Sequence, residues 1–193
     1  MPSLELDIFK KIQENIKRSE NDIFISYPTF VETGTYLGRT TFSVEPLFNC
    51  IYTIEIKEKF YKDVKKKYKG NKIKFHLGDS SVCLNKICEG INTNAIFFLD
   101  GHWSAGDTGK GEKDCPLYEE LNIIVEKFYN KAIIIIDDVR LFGMGPNKGN
   151  EICNWEDINK NKILDIVKNR LETYYSLHSY LANDDRLILH INN

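Results

Sequence analysis

Five short, almost wholly apolar runs recur along the chain, at residues 29–32, 51–56, 73–77, 95–100 and 132–137. They constrain the fold more than any other feature. Each is rich in β-branched or aromatic residues, is bounded by polar residues or glycine, and is too apolar for a strand with one wet face. Strands buried on both faces of a parallel sheet read this way. The segments between them, 57–68, 80–90 and 115–129, have helical character. In the last of these, Pro116 precedes Leu117, Leu121, Ile124, Val125 and Phe128, which marks a proline-started amphipathic helix. Strand–helix alternation of this kind builds βαβ units with right-handed crossovers.

The rhythm breaks near the end. A helix over 158–171 is followed by strand-like runs at 174–181 and 186–191, joined by Ala182-Asn183-Asp184-Asp185. Two strands around a short Asn/Asp turn form an antiparallel hairpin. The expected architecture is therefore α/β and Rossmann-like, with a mostly parallel seven-stranded sheet ending in an antiparallel hairpin. A length of 193 residues suits one domain spanning 1–193, with residues 1–24 as a short N-terminal helical cap.

Composition narrows the partners. The net charge is only −2, so the overall balance points to no nucleic-acid partner, and the lysines of 62–72 read as a solvated helix face and turn. The five cysteines (Cys50, Cys83, Cys88, Cys115 and Cys153) form no CxxC pair, which argues against a disulfide framework and a zinc site. The N-terminus is too charged for a signal peptide, and no apolar run reaches the ~18 residues of a membrane span. A cytoplasmic protein acting on a small-molecule or glycan acceptor is expected.

The first strand runs into VETGTYLGRTT, residues 31–41. In a doubly wound sheet, ligands sit outside the carboxyl ends of the strands, so this turn is the first place to seek a site. Gly34 and Gly38 permit a tight turn and close backbone approach. Glu55 ends the second strand, where a carboxylate can accept hydrogen bonds from both hydroxyls of a ribose. Dinucleotide folds prefer G-x-G-x-x-G, with room for a pyrophosphate. Here Tyr36 fills the middle position and Glu32 places a carboxylate nearby. That charge repels a pyrophosphate and suits the sulfonium and amino group of S-adenosylmethionine. A nucleotide-sugar or NAD-binding Rossmann-like protein is the alternative. After the third strand, Asp79 and Ser80 stand where an adenine amine could be held. No N-P-P-[YF] or D-P-P-[YF] segment of base amino-methylation is present.

ETGTYLGRTT resembles the E-x-G-x-[YF]-x-G-x-[ST] motif of catechol O-methyltransferase-like enzymes, within the class I S-adenosylmethionine-dependent methyltransferases. FFLDGHWS at 97–104 resembles the segment carrying that family's first metal-binding aspartate, and IIIIDDV at 133–139 the strand carrying the other two. Similar D-G-x and D-D pairs occur in metal-dependent sugar O-methyltransferases. The resemblance spans residues 30–142. It implies that Glu32, Gly34, Thr35, Tyr36, Gly38, Glu55, Asp79, Ser80 and Asp100 hold S-adenosylmethionine, and that Asp100, Asp137 and Asp138 hold Mg²⁺ or another divalent ion. Where the catechol enzymes place a lysine base, this chain has Trp103; where the sugar enzymes place a base, it has His102. The expected activity is divalent-metal-dependent O-methylation of a sugar, glycan or related polyol, with His102 and Asp100 as catalytic residues. Imidazole titrates near neutrality, as a general base requires. His76, His178 and His190 read as structural, and Arg140 as either a substrate contact or an outward ion pair.

Overall fold

The computed structural model describes residues 4–16 and 22–193; of the expected N-terminal cap, residues 1–3 and 17–21 lie outside them. The five apolar runs form parallel strands: β1 (Thr29–Thr33), β2 (Cys50–Glu55), β3 (Ile73–Leu77), β4 (Ala95–Leu99) and β5 (Ala132–Ile136). The terminal pair is β6 (Leu171–Leu177) and β7 (Arg186–Ile191), both antiparallel to their neighbours. The sheet order is β3-β2-β1-β4-β5-β7-β6, so the hairpin folds back and inserts β7 beside β5. Sequence explains the choice. Arg186–Ile191 is buried throughout, whereas Leu171–Leu177 exposes Glu172, Thr173 and Tyr174 and takes the edge, where polar residues discourage further pairing. The first of the two hairpin strands thus begins and ends earlier than its expected 174–181.

Side chains alternate across the sheet, and the two faces have separate cores. Val31, Phe97, Leu99, Ile134, Ile136 and Leu189 pack beneath α5 (Ser80–Gly90), α6 (Leu117–Lys127) and α7 (Lys160–Val167). Phe30, Ile96, Phe98, Ile133, Ile135 and Ile188 pack against α1 (Asp7–Asn15), α2 (Ile23–Ser26) and α3 (Arg39–Val44). The remaining helix, α4 (Glu58–Lys67), buries Phe60 and Val64 and leaves its lysines exposed. The last helix stops at Val167, short of the expected 171, and Arg170 caps its neighbour. Its guanidinium donates to the carbonyls of Ile124, Val125, Phe128 and Asn130 at the end of α6. None of the described helices is long and apolar enough to cross a membrane.

Candidate active site

Register aligns the carboxyl ends of the parallel strands. Thr33 stands opposite both Ile54 and Leu99, and Leu99 opposite Ile136. The residues ending or following each strand therefore meet on one rim: Gly34, Glu55, Asp79, Asp100, and the pair Asp137 and Asp138. A cleft of about 330 Å³ opens there, and its walls include Gly34, Tyr36, Glu55, Asp79, Ser80, Asp100 and His102.

Gly34 has φ +85°, and a Cβ at this position would run into the backbone carbonyl of Asp100. Only glycine lets the β1 turn lie against the chain leaving β4. Two residues on, the Tyr36 N–H donates to Glu55 Oε2 at 2.7 Å, and the Lys57 N–H donates to Oε1 at 2.8 Å. The carboxyl is thereby fixed at the cleft wall, each oxygen keeping a further lone pair for a ligand. Burial raises the Glu55 carboxyl above its ordinary value, partly offset by those backbone donors. Asp79 caps α5, its Oδ1 accepting from the Ser81 N–H at 2.9 Å and hydroxyl at 2.7 Å.

The stretch between Gly101 and Pro116 forms the outer wall. Gly109 lies flush on Ile56, and Gly111 on Asp79, where a Cβ would clash in each case. The loop is braced by Lys110, whose ammonium sits 3.9 Å from the Trp103 ring centre and 2.9 Å from Asp114. Its glycines are thus a packing requirement of the cover over β2 and β3.

Three residues expected at the cofactor do not line this cleft. Glu32 shares the face of Phe30 and points toward α3, where it accepts hydrogen bonds from the hydroxyls of Thr41 and Thr53. Burial pushes its carboxyl up to about 7 despite those donors. It is therefore no charge beside the turn, and its part in the sign argument against a pyrophosphate falls away. The Thr35 hydroxyl is bound to that of Thr53 at 2.5 Å. Gly38, φ +74°, packs on Val64 at the start of α3. These residues build the turn from beneath.

His102 occupies the junction of the rim. Its Nε2 lies 3.2 Å from Asp138 Oδ2 and its Nδ1 3.6 Å from Asp100 Oδ1, with the Trp155 ring edge-on at 4.7 Å. Burial alone would lower the imidazole, but its hydrogen bond to Asp138 and the charges of Asp100, Asp138 and Asp137 raise it above the ordinary histidine value.

The three carboxylates expected to share a metal are divided. Among the described residues, ligand-type groups converge as Asp100–His102–Asp138 and as Asp137–Asp138–Asp185. Asp137 Oδ1 accepts from Nε of the buried Arg186 at 3.1 Å, and Asp138 Oδ1 from Arg140 Nη1 at 2.5 Å. Arg140 Nη1 also reaches Asp185 Oδ2 at 2.5 Å, and Arg186 is bound to Glu5. Burial pushes Asp137 up to about 6 against the pull of Arg186, while His102 and Arg140 overcome burial to hold Asp138 below its ordinary value. Two guanidinium groups and an imidazole supply part of the counter-charge that these carboxylates need, Arg140 being shared with Asp185 and Arg186 with Glu5. The three carboxylates implied by the family resemblance thus do not converge in one group: Asp138 belongs to both clusters, Asp100 to one and Asp137 to the other.

A second cleft, of about 180 Å³, lies on the other side of His102. It is lined by Asp138, Arg140, Ser179, Tyr180, Leu181 and Asp185, and it shares Asp100, His102 and Ser104 with the first. Sequence reading missed Asp185 and Arg186, because a turn-ending acid and a strand-starting arginine carry no local signal of a partner 45 to 49 residues away. Arg140 turns inward, contrary to one of its two expected placements. Trp155 and Glu120, which line neither cleft but a small space beside His102, were also missed. For Glu120 a signal existed, since it lies three residues after Leu117 and four before Ile124, on the buried face of α6.

No protein-family model matches the chain, and no curated protein is significantly similar in sequence. Solved structures are similar in fold. A putative caffeoyl-CoA O-methyltransferase from Staphylococcus aureus superposes with TM-score 0.60 at 14% identity, over 98% of this chain and 85% of that one. The N-methyltransferase NodS from Bradyrhizobium japonicum WM9 in complex with S-adenosyl-L-homocysteine gives 0.52 at 11% identity, over 96% and 87%. An rRNA methylase from Streptococcus thermophilus gives 0.50 at 14%, over 86% and 87%. Together with the strand order and the inserted terminal hairpin, these likenesses show that the chain has the Rossmann-like fold of the class I S-adenosylmethionine-dependent methyltransferases.

Proposed function

We propose that this chain is an S-adenosylmethionine-dependent O-methyltransferase that methylates a hydroxyl of a sugar, glycan or related polyol. The observation carrying this reading is the meeting of two clefts at Asp100 and His102. Supporting it, one cleft has a glycine-floored turn at Gly34 and a carboxylate at Glu55 of the kind a ribose would need. Its far end, at Asp79 and Ser80, suits an adenine. The other is lined by Asp138, Asp185, Arg140 and Ser179 beside the exposed Tyr180 and Leu181. Hydroxyl-rich rings need that mixture of hydrogen-bonding groups and an apolar face. Five free cysteines accord with a reducing, cytoplasmic setting.

When bound, S-adenosylmethionine supplies an electrophilic methyl group on a sulfonium. The chain's own residues align the acceptor hydroxyl for in-line displacement and remove its proton. His102 is the base, and Asp100 and Asp138 stabilise the imidazolium it becomes. No step is assigned to a metal ion; Arg140, Arg186 and His102 are the groups that hold Asp137 and Asp138 in place.

Titration calorimetry with S-adenosylhomocysteine, with and without Mg²⁺, tests the reading. Micromolar binding in both conditions supports it. No binding in either, with NAD raising the melting temperature instead, would replace it with the dinucleotide alternative.

A further inference from the structure

Beside His102, the core holds two polar atoms that fold formation has left without partners. The Glu120 carboxyl is held by the Ser80 and Thr33 side chains, yet its buried Oε1 finds no hydrogen-bond partner within the described residues, and neither does the buried Trp155 Nε1. Their side chains are 1% and 2% exposed. Burying such atoms unpaired is costly, and in native proteins an internal water molecule commonly satisfies them.

Both residues line one small cavity of about 10 Å³, whose other walls include Gly101, His102 and Asp137. That volume is close to the ~10–15 Å³ needed to seat one water. The chemistry of the walls is complementary. The indole N–H can only donate, and a carboxylate oxygen can accept, so a water between them would receive one hydrogen bond and give another. Gly101 keeps the space open: a Cβ there would stand 2.9 Å from Glu120 Oε1 and 2.8 Å from the Thr33 hydroxyl. This glycine lies at the second position of the Asp-Gly-His run, and its negative φ means that space, not backbone conformation, requires it.

We propose that this cavity binds a single water molecule held by Trp155 and Glu120, and that Glu120 acts through it as a positioning residue for His102. The edge of the Trp155 indole already meets the imidazole. The water would complete a polar support that keeps the ring aligned between Asp100 and Asp138 as it gains and loses a proton. The water site stands on the cavity and its two orphaned atoms alone; its bearing on catalysis rests on the methyltransferase reading above.

A crystal structure at a resolution that shows ordered waters is the first test. One water within hydrogen-bond distance of both Glu120 Oε1 and Trp155 Nε1 is expected, and it should be lost in Trp155→Phe, which removes the donor. Glu120→Gln keeps an acceptor and should retain the water. Long-range ¹H–¹⁵N spectra then read the protonated ring nitrogen of His102, a signature that simple loss of packing does not move. Trp155→Phe should shift the His102 tautomer ratio, while S-adenosylhomocysteine affinity stays within about twofold of the unaltered chain. A dry cavity, or a His102 signal unaffected by Trp155→Phe, overturns the proposal. Failure of the unaltered chain to bind S-adenosylhomocysteine would defeat the methyltransferase reading and leave the water site standing, so the two failures are distinguishable.

Discussion

Gly34→Ala tests how the site is assembled, because two separate penalties act at that position. Gly34 has φ +85°, a conformation that costs an L-residue about 1–3 kcal/mol. The new methyl group would also be driven into the Asp100 peptide, lying 3.0 Å from its carbonyl carbon and closer still to its oxygen. Backbone cannot rotate away as a flexible side chain can, and overpacking of this kind costs about 1–3 kcal/mol. The sum is about 2–6 kcal/mol, a large part of the 5–15 kcal/mol typical of a domain. At roughly 2–4 °C per kcal/mol for a chain of this size, the melting temperature should fall by about 4–24 °C. Gly90→Ala is the internal control. Gly90 ends α5, a Cβ there meets nothing within 4 Å, and alanine should leave stability equal or higher by up to ~1 kcal/mol. Urea denaturation measures both, and calorimetry with S-adenosylhomocysteine reads the displaced Asp100 as weaker binding. If Gly34→Ala unfolds within 1 kcal/mol of the unaltered chain and binds the ligand equally well, the close approach of β1 and β4 is not what shapes the cleft.

Four further outcomes are expected. Glu55→Ala should weaken S-adenosylhomocysteine binding by tenfold or more, since it removes the proposed ribose acceptor and unpins the Tyr36 and Lys57 amides; unchanged affinity in calorimetry would misplace the adenosine site. His102 should titrate above 6.5 in NMR, so the imidazole favours folding at low pH and that contribution fades as pH rises through its raised pKa; a midpoint below 6.5 refutes the carboxylate clamp. Glu32 titrates near 7 in the fold and near 4.5 when unfolded, so it erodes stability as pH climbs between those values and no further above them. Glu32→Gln should flatten that part of the stability profile, and a slope identical to the unaltered chain would mean the carboxyl is not buried as described. Excess EDTA should leave S-adenosylhomocysteine affinity unchanged; a loss restored by Mg²⁺ would show that Arg140 and Arg186 do not substitute for a cation.

Much of the fold was legible because burial on both faces of β1, β4 and β5 writes itself into the chain as apolar runs; β3, read the same way, is instead half exposed at Lys74 and Leu77 because it lies at the edge of the sheet. The strand starts and ends at β3 and β7 agree with the sequence reading, while the edge strand β6 was misplaced because Glu172 and Thr173 dilute its pattern. The rim positions were legible as well, since a residue that ends a parallel strand must lie at the rim whatever its partners. Which way a rim side chain points was not legible. Glu32 and Val31 are adjacent in sequence, and only their alternation across β1 sends the glutamate toward α3 and out of the cleft.

The sequence by itself thus determined the class of sheet, the turn at Gly34, the rim carboxylate Glu55 and the neighbouring Asp100 and His102, because each is set by local pattern and strand ends. Tertiary structure alone decided the charge state of the site. Glu5, Arg140, Asp185 and Arg186 come from distant segments, and the inserted β7 carries the last two of these to the end of β5. Electrostatic energy depends on separation in space, and no spacing along the chain reveals that Asp137 and Asp138 meet guanidinium groups.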